Sequence, residues 1–185
     1  MKFLQPLNLF KESLKREASK RNQLLGLNVG DRFLTLAVSD PENISAVPLR
    51  VWPTVLYDKA SVADTIQTLI PKHNLMGLVV FSPNISSKSC PIYSYIGGLH
   101  KTGKLEGLMY TCWDVNFTSK VRVCHVEFVS NHHVEFIKSL SLPKHLSEKC
   151  IEQFAAWHML QGYLDYSNIL VAIDKDIDAD LFGGD

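Results

Sequence analysis

Between Leu24 and Pro41 apolar and polar positions alternate in two short runs, LLGLNVG and RFLTLAVSDP, that meet at Gly30-Asp31. In the first run Leu25, Leu27 and Val29 fall on one side, and Leu24, Gly26 and Asn28 on the other. Phe33 to Val38 resumes the apolar pattern after the turn. A two-residue period interrupted by a Gly-containing turn predicts a β-hairpin. Asn28 then stands beside the turn on the face of Leu24 and Gly26. An Asn in that place either bonds the backbone of the turn or presents a ligand at the end of a sheet.

The rest of the chain supplies an α/β order. A basic amphipathic helix is predicted near Leu9 to Ser19 and a third strand near Ala46 to Val51. Asp58 to Ile70 carries Val62, Ile66 and Leu69 at helical spacing, Met76 to Phe81 is a short apolar strand, and Tyr93 to Lys101 is a helix closed by Gly103. Leu108 to Trp113 makes the fifth strand. In the last helix, Glu148 to Asp165, the residues Glu152, Ala155, Ala156, Met159 and Tyr163 recur at three- or four-residue spacing on one face. A three-strand meander followed by helix, strand, helix, strand and helix predicts a mixed five-stranded sheet flanked by helices. Small residues let that last helix approach a sheet closely. Glu152 in line with them requires a partner or a cation, unless it sits at the helix edge facing water.

Four blocks, LLGLNVGDRFLTLAVSDP, GLVVFSPN, WDVNFTSK and IEQFAAWHMLQGYLD, resemble the YqgF family of RNase H-like proteins, which includes Holliday junction resolvase-like members and pre-16S rRNA nucleases. The opening MKFLQPLNLFKESLKREAS and the segment KTGKLEGLMYTCWD are most like the plant-type members. The resemblance runs from Met1 to about Asp165. It implies an RNase H-like fold and divides the chain into a basic N-terminal helix (1–22), the RNase H-like domain (23–166) and an acidic C-terminal tail (167–185). Residues near 121–131, rich in β-branched positions, have no counterpart in the family pattern and read as an insertion.

The family pattern also implies a site, and this chain departs from it. Acidic residues are expected at the positions of Asn28, Val115 and Glu152, and only Glu152 is acidic here. Asp114 stands next to the substituted Val115 and Asp31 just past the first turn, so Glu152, Asp114 and Asp31 are the candidate metal ligands. The family implies Mg²⁺ or Mn²⁺. Mg²⁺ prefers oxygen ligands from one or two carboxylates together with substrate phosphates, and paired ions clamp the attacking and leaving oxygens of phosphoryl transfer. Two divalent ions about 4 Å apart repel by roughly 16 kcal/mol at an effective dielectric near 20. Carboxylate charge has to offset that repulsion. Asn28 keeps an acceptor oxygen without the charge, and Val115 keeps neither, so the expectation is a nuclease homologue with impaired catalysis. The alternative is a non-catalytic module that binds nucleic acid or a ribosome. The implied partner in both cases is structured RNA or DNA, including precursor rRNA.

Charge and composition refine the choice of partner. The chain has 185 residues, 46% of them hydrophobic and 21% charged, which suits one globular domain. Its formal net charge is zero, so affinity for nucleic acid has to come from local patches. Lys11, Lys15, Arg16 and Lys20 form the candidate patch on the first helix. Asp174, Asp176, Asp178 and Asp180 crowd the other end, and the two termini are equally able to neutralise one another. No apolar run reaches the roughly 20 residues of a membrane span, and the N-terminus lacks a secretory core. The expectation is a soluble intracellular protein, cytoplasmic by default, with an organellar location left open.

Other motifs carry less. The segment from Gly98 to Lys104 approximates a phosphate-binding loop, but Leu105 replaces the required hydroxyl residue, and a helix cap at Gly103 explains it better. The acidic run from Asp174 has the odd spacing of a calcium loop, yet Ala179 stands where the turn Gly belongs. Cys124, His125, His132 and His133 lack the paired spacing of a structural zinc site.

Overall fold

The computed structural model describes residues 1–15, 22–30, 32–54, 58–82, 91–114 and 137–182; the side chains of 145, 149, 152, 153 and 175–182 are not among the described ones. Its elements are β1 (Lys2–Phe3), α1 (Pro6–Leu14), β2 (Gln23–Val29), β3 (Phe33–Ser39), β4 (Ala46–Pro53), α2 (Lys59–His73), β5 (Leu75–Ser82), α3 (Pro91–Lys101), β6 (Met109–Asp114) and α4 (Lys144–Phe182).

The predicted hairpin is β2–β3, with Val29 opposite Leu34 and Asn28 opposite Thr35. Gly30 N–H donates to Phe33 O at 3.0 Å to close it. β4 adds antiparallel to β3, while β5 runs parallel to β2 and β6 parallel to β5. The crossovers between the parallel strands are α2 and α3. The sheet has six strands in the order β1-β6-β5-β2-β3-β4, so the expected count of five is one too few. The extra strand is β1, which pairs Lys2 with Met109 and Phe3 with Tyr110. Two residues are too short to show a period, and their edge pairing is set by β6. The meander followed by two parallel strands is the RNase H-like fold.

Local chemistry sets the helix limits. The Asp58 side chain accepts from Ser61 N–H at 2.8 Å and caps α2, and α2 ends at Asn74 in the left-handed region, φ 47°. Gly103, φ 71°, follows α3 and returns its N–H to His100 O, as the cap reading requires.

The alternation of strand residues splits the core into two layers. Leu25, Leu27, Leu34, Leu36 and Leu78 pack against Val62 and Ile66 of α2 and Ile96 and Leu99 of α3. Leu24, Ala37, Val79, Phe81 and Trp113 pack on the other face against Leu9 and Phe10 of α1 and Ala156, Leu160 and Tyr163 of α4. Gly26 lets α4 come close: a Cβ there would stand 2.9 Å from Phe81 Cε2 and 3.1 Å from Leu160 Cβ.

The terminal helix is longer than the predicted span, 39 residues ending at Phe182, and so runs through the segment read as an acidic tail. Packing explains its continuation past Asp165. Ser167 is buried, Asn168 Nδ2 donates to Asn43 O at 2.9 Å, and Val171 packs against the core. Conversely, α1 is shorter than predicted, ending at Leu14 with Lys15 as its cap. Residues 121–131, together with Cys124, His125, His132 and His133, lie outside the described residues.

Candidate nucleic-acid and metal site

The carboxyl ends of β2, β5 and β6 lie side by side, with Asn28 in register with Phe81 and Phe81 with Trp113. Asn28 follows Leu24 and Gly26 on the α4 face, where Thr35 stands directly opposite it on β3. The turn does not use the Asn28 side chain. Gly30 is bonded by Phe33 and by the Thr54 hydroxyl, which donates to Gly30 O at 3.0 Å. Among the described residues the Asn28 amide has no hydrogen-bond partner. The Thr35 hydroxyl is fully buried and also without one, so this corner of the sheet keeps two polar groups with no partner among the described residues.

Asp114 ends β6 one residue beyond Trp113 and opposite Ser82. It therefore alternates with Trp113, whose ring lies on the α4 face 5.2 Å from that of Tyr163, and shares its side with Cys112, which packs against the α2–α3 layer. Asn28 and Asp114 meet at one end of the sheet but on opposite faces. The period of two within β6 is the physical reason. Val115 and Asp31, the other two candidate positions, lie outside the described residues.

Glu152 belongs to α4, one turn after Glu148 and one turn before the buried Ala156; its side chain is outside the described set. One turn earlier on α4, the Glu148 carboxylate pairs with the Arg32 guanidinium at 2.7 Å. Further along, Trp157 Nε1 donates to Ala46 O at 2.8 Å, and Gln161 accepts from Ala46 N–H at 2.8 Å while donating to Ile44 O at 2.8 Å. These bonds hold α4 along β4 and bring its first turns toward the β2–β3 turn. The pairing of Arg32 with Glu148 had no signal in the sequence. Thr35 had a weak one, as a polar residue within FLTLAVS on the same face as Ser39.

As a metal centre the described residues do not fit. Asn28 offers a neutral amide oxygen, Thr35 a buried hydroxyl, and Asp114 faces the other layer. Among the described residues no three His, Cys, Asp or Glu side chains come together in a way that would hold an ion. The repulsion between two divalent cations is not offset by neutral donors.

The basic helix is also different from a free cationic face. Lys11 Nζ is 2.6 Å from Asp174 Oδ2 of α4, and Lys15 Nζ is 2.5 Å from Glu12 Oε1. Arg16 and Lys20 lie outside the described residues. The helix is anchored beneath its charges: Leu9 and Phe10 are buried, and the Tyr163 hydroxyl donates to Pro6 O at 2.7 Å. Burial pushes the Tyr163 phenol far above its ordinary range, so it stays a neutral donor.

Among the described residues no helix is long and apolar enough to cross a membrane.

No family model matches the chain. Curated relatives do: a protein of Limosilactobacillus reuteri (strain DSM 20016) named "Putative pre-16S rRNA nuclease" is 25% identical over 150 residues, covering 80% of this chain and 97% of its own length. A protein of the same name from Caldicellulosiruptor saccharolyticus is 27% identical over 158 residues, covering 79% of this chain and 99% of its own length. Among solved structures, T. thermophilus RuvC in complex with Holliday junction substrate aligns with a TM-score of 0.48 at 12% identity, over 80% of this chain and 96% of that one. A second Thermus thermophilus RuvC structure gives 0.42 at 12% identity. The chain thus combines an RNase H-like fold with similarity, over about four-fifths of its length, to proteins named as pre-16S rRNA nucleases.

Proposed function

We propose that this chain is a homologue of the pre-16S rRNA nucleases that engages structured nucleic acid, RNA precursors foremost, and whose own metal-dependent cleavage is impaired. The observation that carries the reading is Asn28: a neutral amide, without a hydrogen-bond partner among the described residues, at the carboxyl end of the central strand on the face covered by α4. In the family pattern an acid occupies this position. With Asn28 and Val115 substituted, Glu152 is the one family acid left, and a single carboxylate binds Mg²⁺ or Mn²⁺ too weakly to organise phosphoryl transfer. Assignment to a plant-type branch rests on the opening segment and on KTGKLEGLMYTCWD.

The test is cleavage of a structured precursor-rRNA fragment and of a four-way DNA junction by the purified chain, with Mg²⁺ or Mn²⁺ supplied. The unmodified protein is expected to bind but not to cut. Asn28→Asp with Val115→Glu should raise metal affinity and cleavage together, each alone achieving less because ligands act as a unit. Robust cleavage by the unmodified chain, abolished by Glu152→Ala, overturns the impairment. Absence of binding to either substrate overturns the nucleic-acid reading.

A further inference from the structure

Asp174, near the acidic end of α4, has no role in the reading above, yet it pairs with Lys11 of the candidate basic patch on α1. Lys11 and Asp174 are 163 positions apart in sequence and 2.6 Å apart in space. Their meeting is set by packing: Phe10, next to Lys11, is fully buried with its ring edge-on to Tyr163 of α4, centroids 6.2 Å apart. The Ser13 hydroxyl accepts from Asn43 Nδ2 at 3.3 Å, and Asn43 O in turn accepts from Asn168 of α4. α1 is therefore fixed against the second half of α4, and Lys11 is directed at Asp174. Both side chains remain about half exposed, 44% and 50%, so a competing anion can reach the ammonium. A carboxylate on a helix beside a lysine offers the same charge and oxygen chemistry as one phosphate of a nucleic-acid backbone.

We propose that the carboxyl-terminal half of α4 is an intramolecular competitor for the polyanion site on α1: Asp174 occupies Lys11 in the free protein, and nucleic acid has to displace it. This inference rests on the proposed engagement of nucleic acid and adds its regulation. Because an exposed pair is weak, the competition is graded. Releasing Lys11 should tighten binding about two- to fivefold at low salt and steepen the slope of log affinity against log salt by about 0.9 for a duplex, one added phosphate contact.

The experiment measures binding of a structured RNA and a DNA duplex across a salt series by the full chain, Asp174→Asn, Lys11→Ala and the double variant. In parallel, a carbodiimide cross-link between the Lys11 amine and the Asp174 carboxyl is quantified by mass spectrometry with and without RNA. Expected are tighter binding and a steeper slope for Asp174→Asn, no such gain in the Lys11→Ala background, and a cross-link that fades as RNA saturates the protein. Equal binding by the full chain and Asp174→Asn, with the cross-link undiminished by saturating RNA, overturns the competition while leaving the nucleic-acid reading intact. No binding by the full chain and by Asp174→Asn at the lowest salt overturns both.

Discussion

Replacing Gly26 by Ala tests how closely α4 is seated on the sheet, and hence the geometry around Asn28 two residues on. The added Cβ would meet Phe81 Cε2 at 2.9 Å, Leu160 Cβ at 3.1 Å and Phe81 Cζ at 3.3 Å. Carbon atoms pack best at about 3.5–4.0 Å, so the helix or the ring has to retreat by roughly half an ångström. Leu160 Cβ is fixed to the helix backbone, and Phe81 is 1% exposed, so neither has free space to move into. Overpacking of this kind costs about 1–3 kcal/mol, against a gain of about 0.4–1 kcal/mol from restricting the unfolded chain. The net expectation is a loss of about 1–2 kcal/mol. With a urea m-value of about 2 kcal/mol/M, the midpoint should fall by roughly 0.5–1 M at unchanged slope. Gly97→Ala is the matched control, because nothing lies within 4 Å of its would-be Cβ in α3. There helix propensity alone acts, and the variant should gain about 0.5–1 kcal/mol. A midpoint for Gly26→Ala equal to or above that of the parent would refute the close seating of α4.

The β3–β4 turn should be equally sensitive. Asn43 adopts φ 55°, accepts from the Ser39 hydroxyl at 2.6 Å and donates to Asn22 O at 3.0 Å; Asn43→Ala combines backbone strain with buried unpaired groups, and should cost about 2–4 kcal/mol in urea unfolding, with Asn43→Gly intermediate. A loss below about 0.5 kcal/mol, the range of ordinary surface changes, would contradict the network. Acidification should destabilise the fold in two stages. Burial holds the His73 imidazole below its ordinary range, and hydrogen bonds from Ser61 hold the Asp58 carboxyl below its own. In both cases the unfolded chain binds protons more tightly, so stability is lost as pH falls, first below about 6.5 and then below about 4. His73→Gln should remove the first stage from a series of urea midpoints, and rising stability between pH 7 and 5 would show the sign to be wrong.

What the sequence determined by itself is what local rules govern. The β2–β3 hairpin, α2, β5 and the Gly103 stop after α3 were legible because side-chain period and a residue able to adopt positive φ act within a few positions. The face of Asn28 followed from the same alternation, and Asn28 and Val115 were visible as neutral residues where the resemblance implies acids. Tertiary structure alone decided the rest. β1 exists because β6 offers it an edge, and α4 runs on to Phe182 because Ser167, Asn168 and Val171 find partners in the domain. The β2–β3 turn is tied by Thr54, just past the end of β4, whose hydroxyl donates to Gly30 O. Composition left open whether the basic and acidic termini neutralise one another, and only packing, which sets Asp174 of α4 beside Lys11 across 163 positions, decided that these two do. Periodicity reports which way a side chain leaves its own strand or helix; what it then meets is set by packing between elements, which no local pattern encodes.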